Sequence, residues 1–276
     1  MSESIKSKSH EIAHNSRISC LKMVHAAKAA HLGSSLSVID ILSVLYGDVA
    51  DISKADPDSL ASDQVLVSKG HAAAGTYAVL ANSGFFETAI LDSYCEDGSL
   101  IGGHVTFGKV PGIPFSTGSL GHGLPLGIGL ALARKRSNVN SFVYVVMSDG
   151  ECDEGTTWES ALIANQFEVG NLVAIIDRNR LQSFGDTEET ISLEPFKSKW
   201  ESFGWNVYDV DGHDHEAMKE IFSNIRKSAS SKPTLIIANT TKGKGISFME
   251  NQVVWHYRPP SDGQLAAALL ELEAQS

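Results

Sequence analysis

Asp149, Gly150 and Asn179 are the residues whose types and spacing point first to chemistry. A carboxylate, a side-chain carbonyl and nearby backbone carbonyls are hard oxygen donors. They suit Mg²⁺, with Ca²⁺ or Mn²⁺ as substitutes, because such an ion takes few protein ligands and fills its other positions with phosphate and water. Gly150 lets the backbone approach a phosphate closely, and Gly155 and Thr156 can offer amides where the next helix begins. Five of the ten histidines, His31, His71, His104, His122 and His256, fall in loops beside glycine or at strand ends. Neutral imidazoles near a diphosphate donate hydrogen bonds and move protons close to neutral pH. A histidine in isolation more often just packs. None of the five forms an HxH or HxxxH pair of the kind that binds zinc.

Positioning these groups requires a strand-helix-strand unit over residues 143–182. Residues 143–147 are apolar and β-branched, as in a strand buried on both faces, and Ser148-Asp149-Gly150 follows at its end. Residues 157–168 carry Trp158, Ala161, Leu162, Asn165 and Phe167 on one helical side, and Gly170-Asn171 stops the helix. Residues 172–176 form a second buried strand leading to Asp177-Arg178-Asn179. Such a unit crosses over right-handed in a parallel sheet, so Asp149 and Asn179 stand at the carboxyl ends of two strands, where α/β sheets bind ligands.

Around this unit, residues 4–30 read as a long helix or a helix pair, with Ile5, Ile12, Ile18, Leu21 and Val24 as its apolar positions. Ser37 is expected to cap a second helix that buries Val38, Ile41, Leu42 and Leu45. Strands are expected at 64–68, 205–210 and 233–239, and helices at 72–83, 85–94, 124–136, 196–202, 216–228 and 263–274. Residues 98–123 are glycine-rich with Pro111 and Pro114, and a loop of that length inside a compact domain is usually functional.

The 276 residues, 42% hydrophobic and 20% charged, suffice for one α/β domain spanning the chain, a parallel sheet with helices on both faces. A net charge of −11 without a basic run argues against nucleic acid and anionic membranes as partners. Cys20, Cys95 and Cys152 form no CxxC pair and suggest free thiols in a reducing, cytoplasmic setting. Cys152 has no evident base beside it and reads as a packing residue. The polar first 19 residues give no secretory signal, and no apolar run is expected to span a bilayer.

The Ser148-Asp149-Gly150 element with Asn179 about thirty residues on resembles the thiamine-diphosphate (ThDP) signature, with Ser148 in place of the usual first glycine and Arg178 in place of a frequent Asn or Asp. The segments AAHLGSSLS, SKGHAAAG, GGHVTFGKVPGIPFSTGSLGHG, SDGECDEGTTWES, DRNRLQ and TKGKGISFMENQVVWH resemble the N-terminal, diphosphate-binding half of transketolase, in family order over nearly the whole chain. The resemblance implies the ThDP diphosphate-domain fold. It implies that Asp149, Asn179 and the Leu181 carbonyl hold the metal, and that Gly118 and Leu120 line the aminopyrimidine. His71 would lie at the diphosphate together with Gly150 and Glu151. His31 and His104 would face substrate hydroxyls, and His256 would sit between diphosphate and substrate. Glu154 would match a carboxylate of the dimer-interface proton network. The family often has Gln where His122 stands, which leaves His122 without a role.

The resemblance ends where a full transketolase continues into its pyrimidine-binding domain. It therefore implies the N-terminal subunit of a split enzyme, paired with a separate C-terminal subunit in an α₂β₂ heterotetramer. Such an enzyme moves a two-carbon ketol unit from a ketose or ketose phosphate to an aldehyde. The α subunit of a 2-oxo acid dehydrogenase E1 component shares the fold and metal motif and is the alternative enzyme. A cofactor-binding subunit without turnover is the alternative outside catalysis. The histidines and the closing Trp255-His256 favour the transketolase resemblance.

Overall fold

The computed structural model describes residues 7–275, so Ile5 and the rest of the first six positions lie outside it. Among the described residues, five strands form one parallel sheet in the order β1-β2-β3-β5-β4: β1 Gln64–Val67, β2 Val143–Ser148, β3 Leu172–Arg178, β4 Asn206–Asp211 and β5 Thr234–Asn239. The central strands are apolar on both faces because helices cover both. Tyr144, Val146, Val173, Ile175, Ile236 and Ala238 face one core, built with α1 (Lys8–Ala26), α2 (Leu32–Val44), α3 (Ala73–Asn82), α8 (His215–Lys227) and α9 (Asp262–Glu273). Their neighbours Val143, Val145, Met147, Leu172, Ala174, Ile176, Leu235 and Ile237 face the other, with α4 (Gly123–Arg136), α5 (Gly155–Gln166) and α7 (Phe196–Ser202). A one-turn α6 (Thr187–Thr190) follows β3.

Caps set several boundaries. The Asp214 carboxylate accepts from the Ala217 amide to open α8, and Ser261 with Gln264 closes a capping box on α9. Four expectations need correction. Ser37 does not cap α2: the helix starts at Leu32 behind His31, and Ser37 lies buried in its interior. Leu162 and Phe167 are 57% and 49% exposed; α5 instead buries the small side Thr157, Ser160, Ala161 and Ala164, which lets it lie close to the sheet. The chain turns after α5 at Glu168, which takes the positive φ expected of glycine. Finally, Leu32–Val49 is long and apolar enough to cross a membrane by length and composition, and 83% of it is buried inside the fold, which accounts for its hydrophobicity.

Candidate functional site

Chain reversals at the carboxyl ends of β1, β2, β3 and β5 converge on one cleft of about 200 Å³. From β2 come Ser148, Asp149 and Gly150; from β3, Asn179, Leu181 and Gln182; after β1, Lys69 and His71; after β5, Lys242; and from the loops between, Gly118, Leu120, His31 and His256. The strand register places Ser148 opposite Asp177, which puts Asp149 and Asn179 on neighbouring strand ends. The expected grouping of the histidines forms as well. The His31 ring lies 5.4 Å from His71, 5.8 Å from His104 and 4.9 Å from His256. His122 stands apart, exposed, with Nδ1 2.9 Å from the Leu120 carbonyl oxygen.

The loops are held from below by close backbone contacts. Gly70 packs so tightly that a Cβ there would lie 2.2 Å from the Thr117 carbonyl oxygen, and the Thr117 hydroxyl donates to Val67 at 2.7 Å. His31 has φ of 69°, a left-handed conformation costly for a residue with a Cβ, and its amide donates to the His256 carbonyl at 2.8 Å. That bond joins the two histidine loops and holds the strain at the cleft mouth. His104 is exposed at the rim, its ring against Gly118. Glu154 is exposed at the N-cap of α5, outside the cleft lining. Glu151 is fully buried beneath the cleft: its carboxylate accepts from the Ser68 hydroxyl, from the Gly121 amide at 2.8 Å and from the Ser148 amide at 3.3 Å. It braces the glycine loop and does not face the cleft.

The electrostatics suit an anion bridged by a cation. Burial, reinforced by Asp177, pushes the Asp149 carboxyl up to about 6. Its oxygens accept from the Gly150 amide at 2.8 Å and the Arg180 amide at 2.6 Å, so the group is held in a fixed direction at the strand end. Burial, with Lys69 beside it, lowers Lys242 to about 8. Lys242 Nζ donates to the Leu181 carbonyl at 2.8 Å and to Gln182 at 3.2 Å. A carbonyl has two lone pairs, so the Leu181 oxygen can still meet a second cation. Burial holds His31 below its ordinary value, His71 well below it, and His256 at about 4, with neighbouring cations adding to each; these three rings are neutral at pH 7. His256 Nδ1 is buried without a hydrogen-bond partner. An orphaned imidazole nitrogen, two lysines and hard oxygen donors fit a metal-bridged diphosphate. Among the described residues no group of three or more His, Cys, Asp or Glu is placed to hold a metal ion by itself.

Sequence patterns alone leave Lys69, Lys242, Ser34 and Gln182 without roles, although all line the cleft. The Lys-Gly-His and Lys-Gly-Lys-Gly runs are the signal for the two lysines. A larger cavity of about 580 Å³ lies elsewhere, beside α1 and α8. Its Arg17, His213 and His215 all engage the Asp40 carboxylate. Cys20 and Cys152 are buried with their thiols pushed up by that burial, Cys20 to about 12; Cys95 is exposed.

Residues 8–270 match the family described as transketolase, thiamine diphosphate binding domain. One chain of an apulose-4-phosphate transketolase from Phocaeicola vulgatus, itself named as a subunit, is 41% identical over 252 residues, covering 91% of this chain and 89% of that one. A 6-deoxy-6-sulfo-D-fructose transketolase subunit of a Clostridium species is 37% identical over 247 residues, covering 89% of each. The solved transketolase of Leishmania mexicana superposes with a TM-score of 0.89 at 26% identity, over 97% of this chain but only 41% of the solved one.

Proposed function

Since the chain belongs to the transketolase family, as its thiamine-diphosphate-binding domain, we propose that it is the N-terminal subunit of a two-chain transketolase that moves a two-carbon ketol unit from a ketose or ketose phosphate to an aldehyde. The observation that carries this reading is the convergence of Asp149, Asn179 and the Leu181 carbonyl with four clustered histidines at one end of the sheet. When bound, ThDP supplies the electron sink for the ketol fragment. Asp149, Asn179 and the Leu181 carbonyl hold Mg²⁺. Lys69, Lys242 and His71 face the diphosphate, and Gly118 and Leu120 line the aminopyrimidine. His256, with an unpartnered Nδ1, takes a hydrogen bond at the junction of diphosphate and substrate. His31 and His104 orient substrate hydroxyls and move their protons. Glu154, exposed beside α5, faces a second subunit rather than the cleft.

The requirement for a partner rests on two points. Relatives that match over nearly their whole length are themselves named as subunits. Leu162, Ile163 and Phe167 leave an apolar face of α5 exposed, at 57%, 46% and 49%. An α₂β₂ assembly, working in the reducing cytoplasm as one domain per chain, accounts for that face and for the free cysteines. The metal assignment is tested by calorimetry of ThDP with Mg²⁺: Asp149→Ala abolishes Mg²⁺-dependent binding in the assembled enzyme, and unchanged affinity would sink it.

A further inference from the structure

Beneath the cleft lies a buried charge that faces neither substrate nor solvent. Asp177, the sixth residue of β3, is fully buried. One carboxylate oxygen accepts from Lys69 Nζ and from the Ser37 hydroxyl, the latter at 2.6 Å; the other accepts from the Thr240 hydroxyl. Lys69, itself fully buried, also donates to the Ser34 carbonyl at 3.2 Å. Ser37 in turn accepts from the Asn179 amide nitrogen at 3.3 Å, and this fixes the amide so that Oδ1 is the atom turned toward the Leu181 amide, 3.1 Å away. Elements from four parts of the chain (α2 and the ends of β1, β3 and β5) thus meet at one carboxylate.

A buried ion pair is weak as a source of stability, because a well-packed apolar pair of the same volume does as well. Its geometric effect is specific, however. Resting on the function proposed above, we propose that Asp177 and Ser37 are positioning residues for the cofactor. Asp177 holds Lys69 toward the diphosphate, and through Ser37 it sets the Asn179 amide with its oxygen available to the metal. Hydrogen-bond partners behind metal ligands commonly carry a tenfold to hundredfold effect on metal affinity.

The test uses the chain co-purified with its partner, titrated with Mg²⁺ in the presence of ThDP. Ser37→Ala is expected to weaken Mg²⁺ affinity about 10- to 100-fold. At saturating metal its kcat and ketose KM return to wild-type values. Ser43→Ala, which removes another fully buried hydroxyl on the same helix, is the control and keeps wild-type metal affinity. Asp177→Asn is expected to weaken inorganic pyrophosphate binding in the wild-type background and to add little in a Lys69→Met background, because Asp177 acts on the diphosphate through Lys69. Wild-type Mg²⁺ affinity in Ser37→Ala, equal losses in Ser37→Ala and Ser43→Ala, or additive effects of Asp177→Asn and Lys69→Met would each overturn the inference. If Asp177→Asn does not fold, the Ser37 and Ser43 pair decides. Wild-type protein that binds no ThDP with Mg²⁺ overturns the functional reading itself, a result distinct from all of these.

Discussion

Replacing Gly70 by alanine tests how the cleft is held together. The added Cβ would meet three backbone atoms: the Thr117 carbonyl oxygen at 2.2 Å, its carbon at 2.5 Å and the Gly118 nitrogen at 2.8 Å. Backbone cannot rotate away as a side chain can, so the 117–120 loop must move by on the order of 1 Å to restore ordinary contact. That loop is tied to β1 by the Thr117–Val67 hydrogen bond and carries Gly118 and Leu120 into the cleft. Overpacking of this kind costs about 1–3 kcal/mol. For a chain of this size the unfolding midpoint should fall by about 2–10 °C. Displacing the cofactor-facing loop should weaken ThDP binding at least about tenfold, or about 1.4 kcal/mol. Gly129→Ala is the matched control: nothing lies within 4 Å of its Cβ, and a helix-interior glycine replaced by alanine gains about 0.5–1 kcal/mol. Thermal unfolding by circular dichroism and calorimetry with ThDP and Mg²⁺ read both effects. A Gly70→Ala protein with wild-type midpoint and affinity would refute the reasoning.

Two further outcomes follow from the histidines. His104→Ala in the reconstituted complex should lower kcat/KM about 10²–10⁴-fold while ThDP affinity stays the same, since the ring sits at the rim away from Asp149 and Asn179; near-normal kcat/KM would remove His104 from the catalytic set. His256, lowered to about 4 by burial, stays neutral in the fold while the unfolded chain takes up a proton below about 6.5. The unfolded state then binds more protons, so this residue costs stability as pH falls from 6.5 toward 4, and stability rises with pH across that window. Cofactor-free His256→Gln should therefore decline less steeply than wild type, by on the order of 1–2 kcal/mol between pH 7 and 4.5 once solvent screening of this half-buried ring is allowed for; parallel profiles would show that the ring is not held neutral.

The sequence made the strands and the ligand-bearing turns legible because burial on both sheet faces leaves unbroken apolar runs, and the polar residue ending each run stands where parallel sheets bind ligands. What it concealed depends on contacts between distant segments. Ser37 has the side chain of a helix cap, yet α2 begins five residues earlier because the His31 amide is held by His256 in a left-handed turn. Lys69 and Asp177 are 108 positions apart, and only the sheet order β1-β2-β3 with α2 laid across it brings them together. Glu151 sits beside Gly150 in sequence, but the short helical turn of residues 150–153 directs its carboxylate inward to the Gly121 amide. Leu162 and Phe167 share a helical side with Ala161 only loosely, and the small residues of α5 won the buried face.

As proposed above, the chain is one subunit of a two-chain transketolase. The direct measurement is steady-state turnover of a ketose donor and an aldehyde acceptor with ThDP and Mg²⁺, using the purified chain, its purified partner, and the two mixed. Activity is expected only in the mixture, saturating at a fixed ratio of the two chains. Robust turnover by the purified chain alone would contradict it.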